Sequence, residues 1–167
     1  MKLTFGGAAN VYEGDHFEEI IWAKFASNGK LGDKYESDYA NKAEVNNYLK
    51  ASYEIKKLSL FADAQYRSIQ YRYVEKASVQ SQTANFNFFN PKLGATYAIN
   101  PKHKVYVSLS VGHREPARKD FVESTVNSRP SFEQLFDYEF GYKFKNKRFL
   151  CMELLSLQCQ KRRETCE

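Results

Sequence analysis

At 167 residues the chain is long enough for one modest domain, and no run in it reaches the roughly eighteen apolar residues that a membrane-spanning helix requires, so a helical membrane protein is excluded. The net charge of +5 comes from scattered Lys and Arg with acidic residues interleaved throughout; only 145–148 and 161–163 are densely basic, which excludes a continuous basic face for nucleic acid. Thirteen Phe and twelve Tyr against one Trp favour strands, because aromatic rings pack well on a pleated surface, and the chain is expected to be all-β.

The opening stretch "KLTFGGAANVY" reads as a strand weakened by its glycines. Before and within it there is no apolar core of roughly 7 to 15 residues, so no secretory signal is recognisable. A long connection, 13–43, follows, and Asn28-Gly29 inside it is suited to the tight turn of a small hairpin. Residues 33–44 have the length of a calcium loop, but Asp38 stands where the loop requires glycine. No metal or cofactor site is expected there or elsewhere.

From Glu44 the alternation becomes regular. Val45, Leu49, Ala51, Tyr53 and Ile55 share one side of "EVNNYLKASYEI", with Asn46, Tyr48, Lys50, Ser52 and Glu54 opposite. After a short "KK" turn, Leu58, Leu60, Ala62, Ala64 and Tyr66 form the apolar side of the next strand, against Ser59, Asp63, Gln65 and Arg67. A connection over 68–85 leads to Phe89, Leu93, Ala95, Tyr97 and Ile99, where Pro91 is expected to mark a bulge because it cannot donate to the ladder. "NPKH" then turns into Val105, Val107, Leu109 and Val111, and after 113–134 the clearest case is Phe136, Tyr138, Phe140, Tyr142 and Phe144.

Each segment is about ten residues long, close to what a tilted strand uses to cross a bilayer. Short turns alternate with long connections, as in outer-membrane barrels whose short turns face the periplasm and whose long loops face outside. The expected architecture is an antiparallel up-and-down transmembrane β-barrel segment of about seven long strands. Tyr53, Tyr97, Tyr142 and Phe144 then approach the periplasmic interface, and Tyr66 and Phe89 the upper one.

The last residues differ. Cys151, Cys159 and Cys166 lie in 150–167, whose composition breaks with what precedes it, and their spacing fits neither a disulfide set nor a zinc site. The chain is therefore expected to divide into a barrel portion, 1–149, and an atypical tail, 150–167, read from a shifted frame or added spuriously.

Together "GDHFEEIIWAKF", "LSLFADAQYRS", "HREPARKDF" and "FDYEFGYKF" resemble the middle to late barrel of TonB-dependent outer-membrane receptors, over roughly residues 4–149. The resemblance implies a plugged barrel of about 22 strands in the outer membrane, surrounded by lipid and importing ferric siderophores or other large nutrients with energy from TonB. It also implies that the plug and the remaining barrel strands are partners of this chain, which is not expected to function alone. No catalytic residues are expected.

At the outer mouth, His113, Arg114, Glu115, Arg118 and Asp120 read first as a salt-bridged rim that orders the loop. The sharper expectation gives Trp22, His113 and Arg114 contact with the ligand, an Arg guanidinium being suited to an anionic group. Two alternatives remain open to the alternation itself: a soluble antiparallel barrel binding a small apolar ligand, or a small outer-membrane enzyme or pore.

Overall fold

A computed structural model describes residues 1–25, 29–75, 80–117, 119–120, 131–145 and 150–162. They form seven strands: β1 (Lys2–Glu19), β2 (Lys34–Ile55), β3 (Leu58–Glu75), β4 (Gln80–Asn100), β5 (His103–Arg114), β6 (Glu133–Lys145) and β7 (Leu150–Arg162). The strands make one sheet in the order β1-β2-β3-β4-β5-β6-β7, each antiparallel to the next. The fold is therefore all-β and up-and-down, and the sheet stays open, with β1 and β7 at its edges. Residues 150–162, set apart in the sequence by composition, pair with β6 from Lys145↔Leu150 to Glu133↔Arg162.

Registers align the apolar positions of successive strands. Leu3, Ala51, Ala62, Leu93, Leu109, Tyr138 and Leu157 are consecutive partners in a row that crosses all seven strands. Because side chains alternate between faces, all seven lie on the same one, and a one-residue slip anywhere would move a strand's whole apolar set to the other. This face is the uncovered one: Leu93 and Phe140 are each 54% exposed. The opposite face carries Lys50 paired with Asp63 at 3.2 Å and Ser108 donating to Glu139 at 2.7 Å.

β1 to β4 run 18, 22, 18 and 21 residues, about twice the length expected from the alternation. The connections shrink accordingly, to 20–33 between β1 and β2 and to 76–79 between β3 and β4. In β3 and β4 the reason is a reversal of polarity within an unbroken strand. Along β3 the apolar residues sit at even positions up to Tyr66, then at odd ones: Ile69, Tyr71 and Tyr73 face inward, while Ser68, Gln70 and Arg72 face outward. β4 mirrors it, with Phe86 and Phe88 inward, Asn85 and Asn87 outward, and Phe89 resuming the outward apolar set. No register shift accompanies the change, since the β3–β4 ladder is continuous from Leu58↔Tyr97 to Glu75↔Gln80. The fully buried apolar residues, Ala40, Ile69, Tyr73 and Phe88, all belong to this upper, inward set.

One local expectation is corrected. Pro91 pairs with Ala64 without a bulge; it lies one residue beyond Lys92↔Ser110, where pairing with β5 ends, so a missing donor on that side costs no ladder bond. The β4 irregularity falls instead between Ala98 and Asn100, beside the turn. The turn expected at Asn28-Gly29 involves Asn28, which lies outside the described residues; among those described, 20–25 and 29–33 contain no strand. The connection closes through Gly32 N–H to Ile20 O at 2.9 Å, with Gly32 at a φ of 87°, a value only glycine adopts freely.

On the inner face the rings of Phe61 and Tyr106 lie directly over their cross-strand partners Gly94 and Gly141, leaving no room for a Cβ. Glycine lowers strand propensity, so its use here reflects this close approach. Gly94→Val should lower stability by about 1–3 kcal/mol through overpacking, despite the better strand propensity of valine. Adding Phe61→Ala should recover part of the loss in denaturant midpoint, and a Gly94→Val single variant as stable as the parent would contradict the close approach.

Candidate functional site

The upper inner face is covered by the end of β5. Above Lys92↔Ser110, β5 parts from β4 but remains paired with β6 up to Arg114↔Glu133. Freed from β4, its last residues fold across the sheet. His113 shares the alternation phase of the outward Val111, yet its ring stacks on inward-facing Phe88 with centroids 5.3 Å apart and planes within 6°. Phe132 meets both rings edge-on at 5.5 and 5.6 Å, and Phe86 stacks on Phe88 at 5.7 Å. His113 Nδ1–H donates to Asn90 Oδ1 at 2.7 Å, and the Asn90 amide donates in turn to Gln65 at 3.0 Å.

One residue past β5, Glu115 reaches across two strands to β2 and β3. Lys42 Nζ donates to its carboxylate at 2.7 Å and Arg67 Nη2 stands 3.5 Å from its other oxygen. Glu44 bridges the same two cations, 3.3 Å from Lys42 and 3.0 Å from Arg67 Nε. The result is a closed ring of two cations and two carboxylates with no net charge. Local sequence builds it: Lys42 and Glu44 are two apart on one face of β2, and Arg67, the partner of Asn46, lies diagonally from Glu44. Pro116 stiffens the exit, and Asp120 closes a turn by accepting from Ala117 N–H at 2.7 Å while donating its own N–H to Ala117 O at 3.0 Å.

Between this crossover and the tops of β1 to β4 lies a cavity of about 410 Å³, lined among others by Tyr12, His16, Tyr71, Phe86, Arg114 and Pro116. Tyr12 and His16 contact each other through the hydroxyl and Nε2, 3.3 Å apart. With the ring's carboxylates held by its own cations, the cavity combines stacking surfaces with an exposed guanidinium. That combination suits the binding of a planar or anionic group.

Of the residues singled out in the sequence, Arg114 lines the cavity, His113 is stacked on Phe88 beside it without lining it, and Trp22 is 75% exposed on the 20–33 connection and does not line it either. Glu115, read as part of a rim, instead crosses the inner face, and Arg118 lies outside the described residues. Sequence reasoning missed Lys42, Glu44, Phe86 and Phe88. The signal for the phenylalanines was present in "NFNF", which alternates in the opposite phase to Phe89.

A family model for the TonB dependent receptor-like β-barrel matches residues 2–157. No curated protein matches the chain significantly.

Burial pushes the Glu115 carboxyl up, but the hydrogen bond from Lys42, a backbone N–H and the charges of Lys42 and Arg67 outweigh it and hold the group below the ordinary glutamate value. A carboxylate lowered in the folded state adds stability that is complete above its unfolded pKa and disappears as pH falls through the folded one. Acidification below the usual glutamate range should therefore release the crossover. A nitroxide at Ala117, on a background with the cysteines replaced by serine, should gain mobility as pH drops. Glu115→Gln should show that mobility already at neutral pH, from a loss of about 1–2 kcal/mol; identical mobility in parent and variant would contradict the pinning role.

Proposed function

The chain belongs to the TonB-dependent receptor β-barrel family, and from that premise we propose that its strands form part of an outer-membrane wall through which a large nutrient, such as a ferric siderophore, is imported with energy from TonB. Receptors of this family reside in the outer membrane. The observation that carries the reading for this chain is the row of apolar side chains running unbroken from Leu3 to Leu157, in which Leu3, Leu93, Leu109, Tyr138 and Leu157 are exposed and the two alanines half-buried. In water such a face would be a large aggregation-prone patch; in lipid it is solvated.

On this reading the inner face lines a wet interior. Lys50 with Asp63 and Ser108 with Glu139 hydrate it or meet a plug, and further strands complete the wall beyond β1 and β7, whose unpaired backbone groups would each cost several kcal/mol in hydrocarbon. The crossover and its cavity face the arriving ligand. Arg114 offers a contact in the cavity, His113 stands in the crossover beside it, and Trp22 offers a contact from the 20–33 connection. The reading assigns transport and no catalysis.

Cells producing the receptor as their only route for a ferric siderophore should take the iron up only when TonB is present, while surface binding of the ligand persists without it. Arg114→Ala should weaken that binding about tenfold. Uptake that continues unchanged without TonB, or recovery of the receptor in the soluble fraction, would contradict the proposal.

A further inference from the structure

Residues 54–58, 100–104 and 143–145 contain six lysines, Lys56, Lys57, Lys102, Lys104, Lys143 and Lys145, against one carboxylate, Glu54. These segments therefore carry a local surplus of five positive charges. All three segments lie at the short-turn rim. Backbone bonds set the turns shoulder to shoulder: Ala98 N–H donates to Lys57 O and Lys145 N–H to Lys102 O, both at 2.8 Å.

The rim provides little internal compensation. Among the described residues the ion pairs involve Lys42, Lys50 and Arg67, and none involves a rim lysine; Lys57 Nζ donates to the Ile99 carbonyl at 3.0 Å. Lys104 and Lys143 are cross-strand partners on the inner face, in phase with Ser108 and Glu139, which leaves Lys56, Lys57 and Lys102 on the turns themselves. An external anion would compensate these turn lysines.

Its identity follows from depth. Next to the lysines, on the outward face, stand Tyr53, Tyr97, Tyr142 and Phe144, with His103 bonded to the Tyr142 hydroxyl and its ring 4.8 Å from Phe144. Aromatic girdles of this kind sit at headgroup level, and lysine stems extend their ammonium groups a few ångströms further into the polar layer. The group met on every side at that depth is the lipid phosphate.

We propose that the short-turn rim binds anionic phospholipid headgroups of the leaflet it faces, with Lys56, Lys57 and Lys102 as the outermost contacts. The inference rests on the membrane reading above. Positive side chains at such a surface each contribute about fivefold in association, weakened by salt.

With the full chain in phosphatidylcholine bilayers, the association of spin-labelled phosphatidylglycerol is compared with that of spin-labelled phosphatidylcholine. The parent should prefer phosphatidylglycerol, a Lys56→Gln, Lys57→Gln, Lys102→Gln variant should lose at least about fivefold of that preference, and Lys24→Gln, Lys30→Gln at the other end should keep it. Equal association of the two lipids with the parent, or an unchanged preference in the triple variant, would overturn the proposal while leaving the membrane reading standing. Absence of motionally restricted lipid of either kind would overturn both.

Discussion

Every backbone donor and acceptor in hydrocarbon has to be satisfied within the protein, and on the membrane reading proposed above that constraint governs this sheet. On that reading a strand cannot stop or splay where its side chains change character: the ladders of β1 to β4 continue for 18 residues or more, and in β3 and β4 the faces change instead. Below Tyr66 and Phe89 the outward side is apolar and the inward side polar. Above them the same ladders carry Ser68, Gln70, Asn85 and Asn87 outward and Ile69, Tyr71, Phe86 and Phe88 inward. The adjacent Phe88 and Phe89, one on each face, mark the level of the change.

That inversion creates the site. An inward apolar surface needs a cover, and the end of β5 supplies it by leaving β4 and laying His113 on Phe88. Packing alone is non-directional, whereas the ring of Lys42, Glu44, Arg67 and Glu115 fixes where the crossover lands. With side chains 17–28% exposed, the ring lies between an exposed pair of small value and a buried one with a large desolvation cost. A crossover held by such contacts is positioned without being immovable, which suits the ligand-admitting interior proposed above.

Much of the fold was legible because lipid imposes a period of two on one face. The segments from Glu44 to Ile55, Leu58 to Tyr66 and Phe136 to Phe144 needed no more than that pattern, and the registers pair them as the alternation implies. The upper halves were read as loops because "SIQYRYV" and "ANFNFFN" break the phase, and a change of phase looks like the end of a strand when each face is assumed to meet one environment throughout. The bulge expected at Pro91 failed for a neighbouring reason: what matters to a proline is whether its side of the strand is paired, and that depends on where β5 departs. His113 and Arg114 were visible as a charged cluster after a strand, but their companions Lys42, Glu44 and Arg67 lie more than forty residues earlier, and only the fold brings them together.

The most direct test scans single nitroxides along β3, residues 58–74, in the lipid-embedded chain, reading collisions with oxygen and with a water-soluble nickel complex. Leu58, Leu60, Ala62, Ala64 and Tyr66 should favour oxygen; Ser68, Gln70 and Arg72 should favour nickel; and Ile69, Tyr71 and Tyr73 should be shielded from both. A single phase running through the whole strand, or shielding of the even positions from 58 to 66 in a water-soluble monomer, would contradict the account.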